Sequence, residues 1–284
     1  MNENQDDSWT LIVTPQSNWF ELNLPQIWKY RDLLFLFFKR DIVTTYKQTI
    51  LGPFWFLIQP ILTTIIFTII FGNIAKMSTD GMPPILFYLS GIIIWNYFAD
   101  CIKNTSDSFK KNENIFSKVY FPRVIVPLST ILSNLVKFFI QLLLFLGILF
   151  YFYILGMEVS ISYDLLLLPV LIFVSGILSL GCGMILSSLT TKYRDLNFLI
   201  GFGIQLAMYA TPVIYPLSEA PEKYRIFILA NPMSAVIESF RFIFLGTGAM
   251  NIITLSYSLI LSIFIFFLGL IIFNKTEKTF MDTV

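Results

Sequence analysis

Hydrophobic runs of membrane-spanning length recur along this chain, separated by short polar or basic joints. Residues 51–72, LGPFWFLIQPILTTIIFTIIFG, carry no charge. A helix rises about 1.5 Å per residue, so about 20 apolar residues cross the hydrocarbon core of a bilayer. The run is therefore predicted to be a first span. Pro53 suits its first turn, where no backbone N–H is needed. Pro60 lies deeper and is predicted to kink or loosen the helix. Trp55 stands near the entry, where an indole favours the interface. Five further spans are predicted at 85–106, 124–153, 165–190, 196–215 and 252–273. The run at 165–190 contains Ser175, Gly176, Ser179, Gly181 and Gly183, small residues that let helix backbones approach closely. The fold class is all-α integral membrane, with six transmembrane helices in a domain covering 49–273.

The joints have patterns of their own. Residues 1–24 form a polar arm, and Asn23 can cap a helix opened by Leu24 and Pro25. Residues 25–48 are predicted to form an amphipathic interface helix with its basic groups toward headgroups or a partner. Its amphipathy is imperfect, because 33–38 are all apolar, and a simple positive flank to the first span is the plainer account. In 107–123 the stretch NENIFSKVYFPR mixes apolar and basic residues, which suggests a short helix on the membrane surface. Residues 216–250 hold two short helix patterns, one beginning near Pro221, the other opened by Asn231 and stopped at Gly246. Neither has spanning length, so the pair is expected to dip into the outer half of the membrane. Glu238 and Arg241 are spaced to pair along one face. A short basic tail occupies 274–284.

Composition narrows the chemistry. The chain is 56% hydrophobic and 13% charged, against about 45–50% and about 25% for a soluble domain. It has no histidine, which removes His-dependent triads and His metal ligands. Cys101 and Cys182 lie far apart in apolar runs and are read as small buried residues. No cofactor is implied, and a net charge of +1 gives no field for nucleic acid. No GxxxxGK[ST] loop is present, so the chain does not bind ATP that way. With the N-terminus inside, fourteen of the nineteen basic residues fall in inside segments, which predicts cytoplasmic termini. Asp100 and Lys137 are the main intramembrane charges and are expected to pair or to reach toward the interface. KYRDL occurs twice, at 29–33 and 192–196, each time before an apolar helix, where lipid phosphates would meet its basic groups. Of the 48 aromatic residues most must face lipid; a minority could offer a sliding surface to sugar C–H faces.

Several segments, in order, resemble the membrane subunit of bacterial polysaccharide ABC exporters, which move O-antigen, capsule or teichoic-acid chains. They are WKYRDLLFLFFKRDI from Trp28, YKQTILGPFWFLIQP from Tyr46, NIFSKVYFPRVIVPL from Asn114, KYRDL from Lys192, TPVIYP from Thr211 and NPMSAVIESFR from Asn231. The resemblance implies a homodimer in the cytoplasmic (inner) membrane with two copies of a separate ATP-binding subunit. Trp28, Arg31, Asp32, Lys110, Asn114, Phe116, Tyr120 and Phe121 would then contact that ATPase. Trp55, Phe56, Phe198, Phe202 and Tyr209 would line the channel, and Tyr215, Asn231, Glu238 and Arg241 would belong to outer gate helices. The cargo would be a lipid-linked polysaccharide, with Arg31, Arg40, Lys47 and Arg123 near its diphosphate, although positive-inside flanking explains each of them singly. The chain would not be an enzyme. Two other readings stay open: the same architecture exporting a drug or small lipid, and an integral membrane enzyme acting on lipid-linked sugars.

Overall fold

The computed structural model describes residues 24–47, 51–116, 118–119, 121–157, 163–193, 195–248 and 250–283, excepting the side chains of 24, 26, 45, 46 and 278–283. Among these, every regular element is helical. Helix α1 (Leu24–Lys29) breaks at Tyr30 and restarts as α2 (Arg31–Tyr46). A 3-10 turn at Gly52–Phe54, with Pro53 in its first turn, leads into α3 (Trp55–Phe67), which continues as a π-helical stretch, Thr68–Ile74. Then come α4 (Pro84–Ser106), α5 (Ser108–Phe116), α6 (Ile125–Ile154) and α7 (Leu168–Lys192). Helices α8 (Leu196–Ala210), α9 (Glu222–Ala230), α10 (Pro232–Leu245) and α11 (Ile252–Thr283) complete the order.

Among the described residues, five stretches are long and apolar enough to span: Gly52–Ile74, Pro84–Ser106, Ile125–Ile154, Tyr163–Lys192 and Ile252–Glu277. The two short helices predicted within 216–250 are present as α9 and α10, bent by 96° where they meet. The span predicted over 196–215 needs correction. Its helix stops at Ala210 after 15 residues, or about 22 Å, against a hydrocarbon core of about 30 Å. The cause is Pro212, whose ring drives the preceding residue out of the helical region. Thr211 is accordingly extended, at φ −105° and ψ 147°.

Pro60 leaves one carbonyl of α3 to be satisfied from elsewhere. It has no N–H for the Phe56 carbonyl one turn back. The buried Gln141 of α6 donates its Nε2–H to that carbonyl at 3.2 Å, and α3 runs through Pro60 unbroken. The irregular turn lies further on, in the π-helical stretch. Helix α2 carries apolar side chains on more than one face. Phe37 is buried, but Phe35, Leu36 and Val43 point outward, so its apolar groups surround it.

Helix α4 is the hub. Every residue from Leu86 to Trp95 is buried, against α3, α6, α7 and α10. Helices α7 and α11 make the tightest pair, and Gly181 permits it. A Cβ there would fall 2.7 Å from the Ile265 carbonyl oxygen and the Phe266 backbone. By contrast, a Cβ on Gly201 or Gly203 of α8 would meet nothing within 4 Å.

The non-helical stretch 211–216 after α8 is buried at Thr211, Pro212, Val213, Ile214 and Pro216. Its carbonyls need donors from the protein, because neither lipid nor an apolar core supplies any. Arg241 of α10 provides them: Nη1 donates to the Pro212 carbonyl and Nη2 to the Val213 carbonyl, both at 2.6 Å. Glu238, one turn earlier, accepts from Nη1 at 3.3 Å and balances the charge. The guanidinium also lies 3.8 Å over the Phe87 ring of α4. Gly91 makes the space, since a Cβ there would sit 2.7 Å from Nη2. At its far end α10 is closed by Gly246 in the left-handed conformation, φ 69°.

Two stability experiments follow. Arg241→Ala strands the buried Glu238 carboxylate and should cost about 3–5 kcal/mol in detergent-solubilised protein. Arg241→Met combined with Glu238→Leu should recover part of that loss; equal stability of Arg241→Ala and the unaltered protein would refute the assignment. Gly181→Ala should cost about 1–3 kcal/mol by overpacking, with Gly201→Ala unchanged or slightly more stable as the control.

Candidate functional site: the basic end of the bundle

Helix α5 follows α4 after one residue, Asp107, and its residues divide by face. Ser108, Phe109, Asn112 and Phe116 are buried, whereas Lys110, Lys111, Glu113 and Asn114 point outward. The buried rings form a chain across three separate parts of the sequence. Phe109 stacks on Phe273 of α11 with ring centres 4.6 Å apart. Phe116 meets Phe109 at 5.9 Å and Phe121 at 5.7 Å, and Phe121 meets Phe37 of α2 at 5.5 Å. Arg123 locks this chain. Its guanidinium lies 5.2 Å over the Phe116 ring, donates to the Glu277 carbonyl at 2.8 Å and sits 3.6 Å from the Glu277 carboxylate. Interface helix, α5 and the end of α11 are thereby one packed unit.

This geometry redistributes the predicted contact residues. Phe116 and Phe121 are each only 2% exposed, so they are corrected from partner contacts to anchors beneath the surface. Trp28 is 71% exposed, with the Arg31 guanidinium 5.6 Å from its ring and the exposed Asp32 3.9 Å from Arg31. Lys110 and Asn114 lie on the outer face of α5. Tyr120 is outside the described residues.

The four residues expected at a diphosphate each have their own surroundings. Arg31 sits beside Trp28, Lys47 is exposed just past the end of α2, and Arg123 is buried against Phe116. Arg40 is held by Asp41 at 2.8 Å and by the Asn112 amide oxygen at 2.9 Å, and stacks 4.6 Å over Phe37. Of the aromatics expected to line a channel, Trp55, Phe198, Phe202 and Tyr209 are exposed, but Phe56 turns inward. At the opposite end, Asn231 caps α10 by accepting from the Met233 N–H at 3.0 Å and donates to Thr211 Oγ1 at 2.7 Å. Tyr215 is half-buried, and Glu238 and Arg241 are buried in the fold. A further link joins the loop between α3 and α4 to this region, Ser218 Oγ donating to Asp80 Oδ1 at 2.8 Å.

Behind α2 and α5 lies a cavity of about 590 Å³ with mixed polar and apolar walls. Its walls come from α2, the start of α3, α4, α5 and α6, and Phe56 is among them. Lys137 and Asp100 form an ion pair at 2.5 Å in its wall, with Lys137 Nζ 5.3 Å over the Phe56 ring. Asn104 donates to the Asn134 amide oxygen at 3.3 Å beside them. Residue-by-residue reading missed most of this site. The usable signal was a polar stripe at helical spacing on α6: Thr130, Ser133, Asn134, Lys137 and Gln141. Among the described residues, no group of His, Cys, Asp and Glu could hold a metal ion.

Comparison with known proteins agrees with this architecture. The ABC-2 type transporter model matches residues 32–245. An O-antigen export system permease protein of Klebsiella pneumoniae is 30% identical over 251 residues, covering 88% of this chain and 94% of the relative. An O-antigen export system permease protein of Myxococcus xanthus is 27% identical, covering 77% and 82%. A polysialic acid transport protein of Escherichia coli is 22% identical, covering 87% and 94%. With its run of spanning helices and a family match over most of its length, this multi-pass membrane chain belongs to the ABC-2 type transporter family.

Proposed function

We propose that this chain is the membrane subunit of an ATP-driven exporter of lipid-linked polysaccharide in the cytoplasmic membrane. It works as a homodimer with two copies of a separate ATP-binding subunit. The names of its relatives, O-antigen export and polysialic acid transport, support the substrate class. Helix α8 carries the reading. It is an apolar helix of 15 residues in which Ile200 is the single buried side chain, and Phe198 is 85% exposed. A short helix so poorly packed in its own chain needs another surface, and a second copy offers one together with the open face of α3. The exposed rings of Phe198, Phe202 and Tyr209 suit the C–H faces of a sliding sugar polymer.

Both termini belong on the cytoplasmic side, in keeping with the excess of basic residues at the end that carries α2, α5 and the end of α11. The ATP-binding subunit docks there, on Trp28, Arg31, Asp32, Lys110 and Asn114. Nucleotide-driven closure pushes on α2 and α5, the phenylalanine chain carries the push into the bundle, and α3 and α8 of the two copies part.

Export assays in reconstituted vesicles test the reading. Phe198→Ala with Phe202→Ala should lower polymer export roughly tenfold, equivalent to about 1.4 kcal/mol, while stability stays within about 0.5 kcal/mol because neither ring is packed in the chain. Unchanged export would remove α8 from the path. Trp28→Ala with Arg31→Glu should weaken binding of the ATP-binding subunit by about 2 kcal/mol or more and leave the permease fold intact. Phe116→Ala should instead cost the permease itself about 3–5 kcal/mol; a stable Phe116→Ala protein that merely loses its partner would restore that ring to the docking surface.

A further inference from the structure

We propose that the cavity behind α2 seats an uncharged glycosyl group presented at the membrane surface. The inference rests on reading the cargo as a lipid-linked polysaccharide, and it identifies the sugar next to the lipid as the part that is recognised. The volume of about 590 Å³ falls in the range of about 300–1,000 Å³ typical of small-ligand sites. Its place fits as well: the walls include α2 and Phe56 at the start of α3, the elements at the membrane entrance.

The chemistry of the wall decides the ligand class. The cations there are already matched: Arg40 by Asp41, Lys137 by Asp100 and Lys111 by Asp107 at 3.1 Å. A phosphate entering the cavity would meet the Asp41 and Asp100 carboxylates together with cations that already have carboxylate partners, so it gains little net attraction there. A polyol does not depend on such attraction. Its hydroxyls donate to those carboxylates and accept from amide and hydroxyl groups, and Phe56 offers a ring face to its C–H groups.

The test uses full-length protein in phosphatidylcholine nanodiscs and a monoglucosyl diacylglycerol carrying a photoreactive diazirine on the sugar. Irradiation should label peptides containing Asn104–Ser108 side of α4 and α5 and the Ser133 turn of α6. Unlabelled monoglucosyl diacylglycerol should compete. Phosphatidylglycerol should not, and free glucose should compete only weakly, because it is not concentrated at the membrane. Ser133→Leu, which fills the cavity from α6 without removing a bond between helices at full strength, should reduce labelling at least tenfold with an unchanged melting temperature. Competition by phosphatidylglycerol would overturn the sugar in favour of a phosphate. Equal competition by free glucose would overturn presentation from the membrane, and unsaturable labelling would overturn the site. Co-reconstitution with the ATP-binding subunit separates the two readings. Polymer export without labelling sinks this inference alone, whereas specific labelling without any export sinks the transport reading.

Discussion

The fold depends on how a charged side chain makes broken helix tolerable inside the bundle. A chain within a bilayer must satisfy its backbone polar groups internally, and a helix does so without help. This chain abandons the helix at Thr211, where Pro212 leaves it no choice. The carbonyls of Pro212 and Val213 then take both terminal nitrogens of Arg241. Charge-assisted bonds of this kind are worth about 1.5–3 kcal/mol each. The surroundings are consistent with that use: Glu238 neutralises the cation, Phe87 gives it a ring face, and Gly91 withholds a side chain that would displace it. Helix α10 is thereby tied to α4 and to the chain leaving α8. The fixed point leaves α8 itself short and peripheral.

The basic end is built on the opposite principle. There the packing is apolar and the charges lie around its edge. Phe37, Phe109, Phe116, Phe121 and Phe273 come from the interface helix, the α5 region and the last helix, so none of the three can shift alone without opening ring contacts. Arg123 and Arg40 cover the cluster with their guanidinium faces, and each has a carboxylate beside it. A rigid unit of this kind suits the transmission of a push. The tight α7–α11 contact at Gly181 extends the same rigidity into the bundle, whereas α3 and α8 keep open faces.

Much of this was legible in the sequence, for local reasons. Apolar runs, prolines and glycines punctuate most of the helices, and the i,i+3 spacing of Glu238 and Arg241 foretells their pairing. Asp100 and Lys137, the main charges in otherwise apolar runs, find each other. The misreadings concern groups whose surroundings come from distant sequence. Phe116 and Phe121 look like surface anchors within a polar loop, but their neighbours are Phe37 and, through Phe109, Phe273. Pro212 marks the end of α8 locally, although the apolar run continues to Tyr215. The α6 stripe from Thr130 to Gln141 was hidden in the same way, because strong hydropathy masks a periodic polar face.

The pairing of charges also bears on the energy source. Among the described residues, the charged side chains away from the helix ends in the spans and α10 are Asp100, Lys137, Glu238 and Arg241, and each carboxylate faces its own cation. A carrier driven by protons needs a group whose charge changes with each cycle. Here such a change would break an ion pair and leave its partner buried, a penalty of about 3–5 kcal/mol that would have to recur at every turnover. The bundle is better suited to keeping its charge state fixed while two open helical faces move apart. Work of that kind must enter mechanically, and the packed basic end is where the chain joins its own helices to an exposed surface.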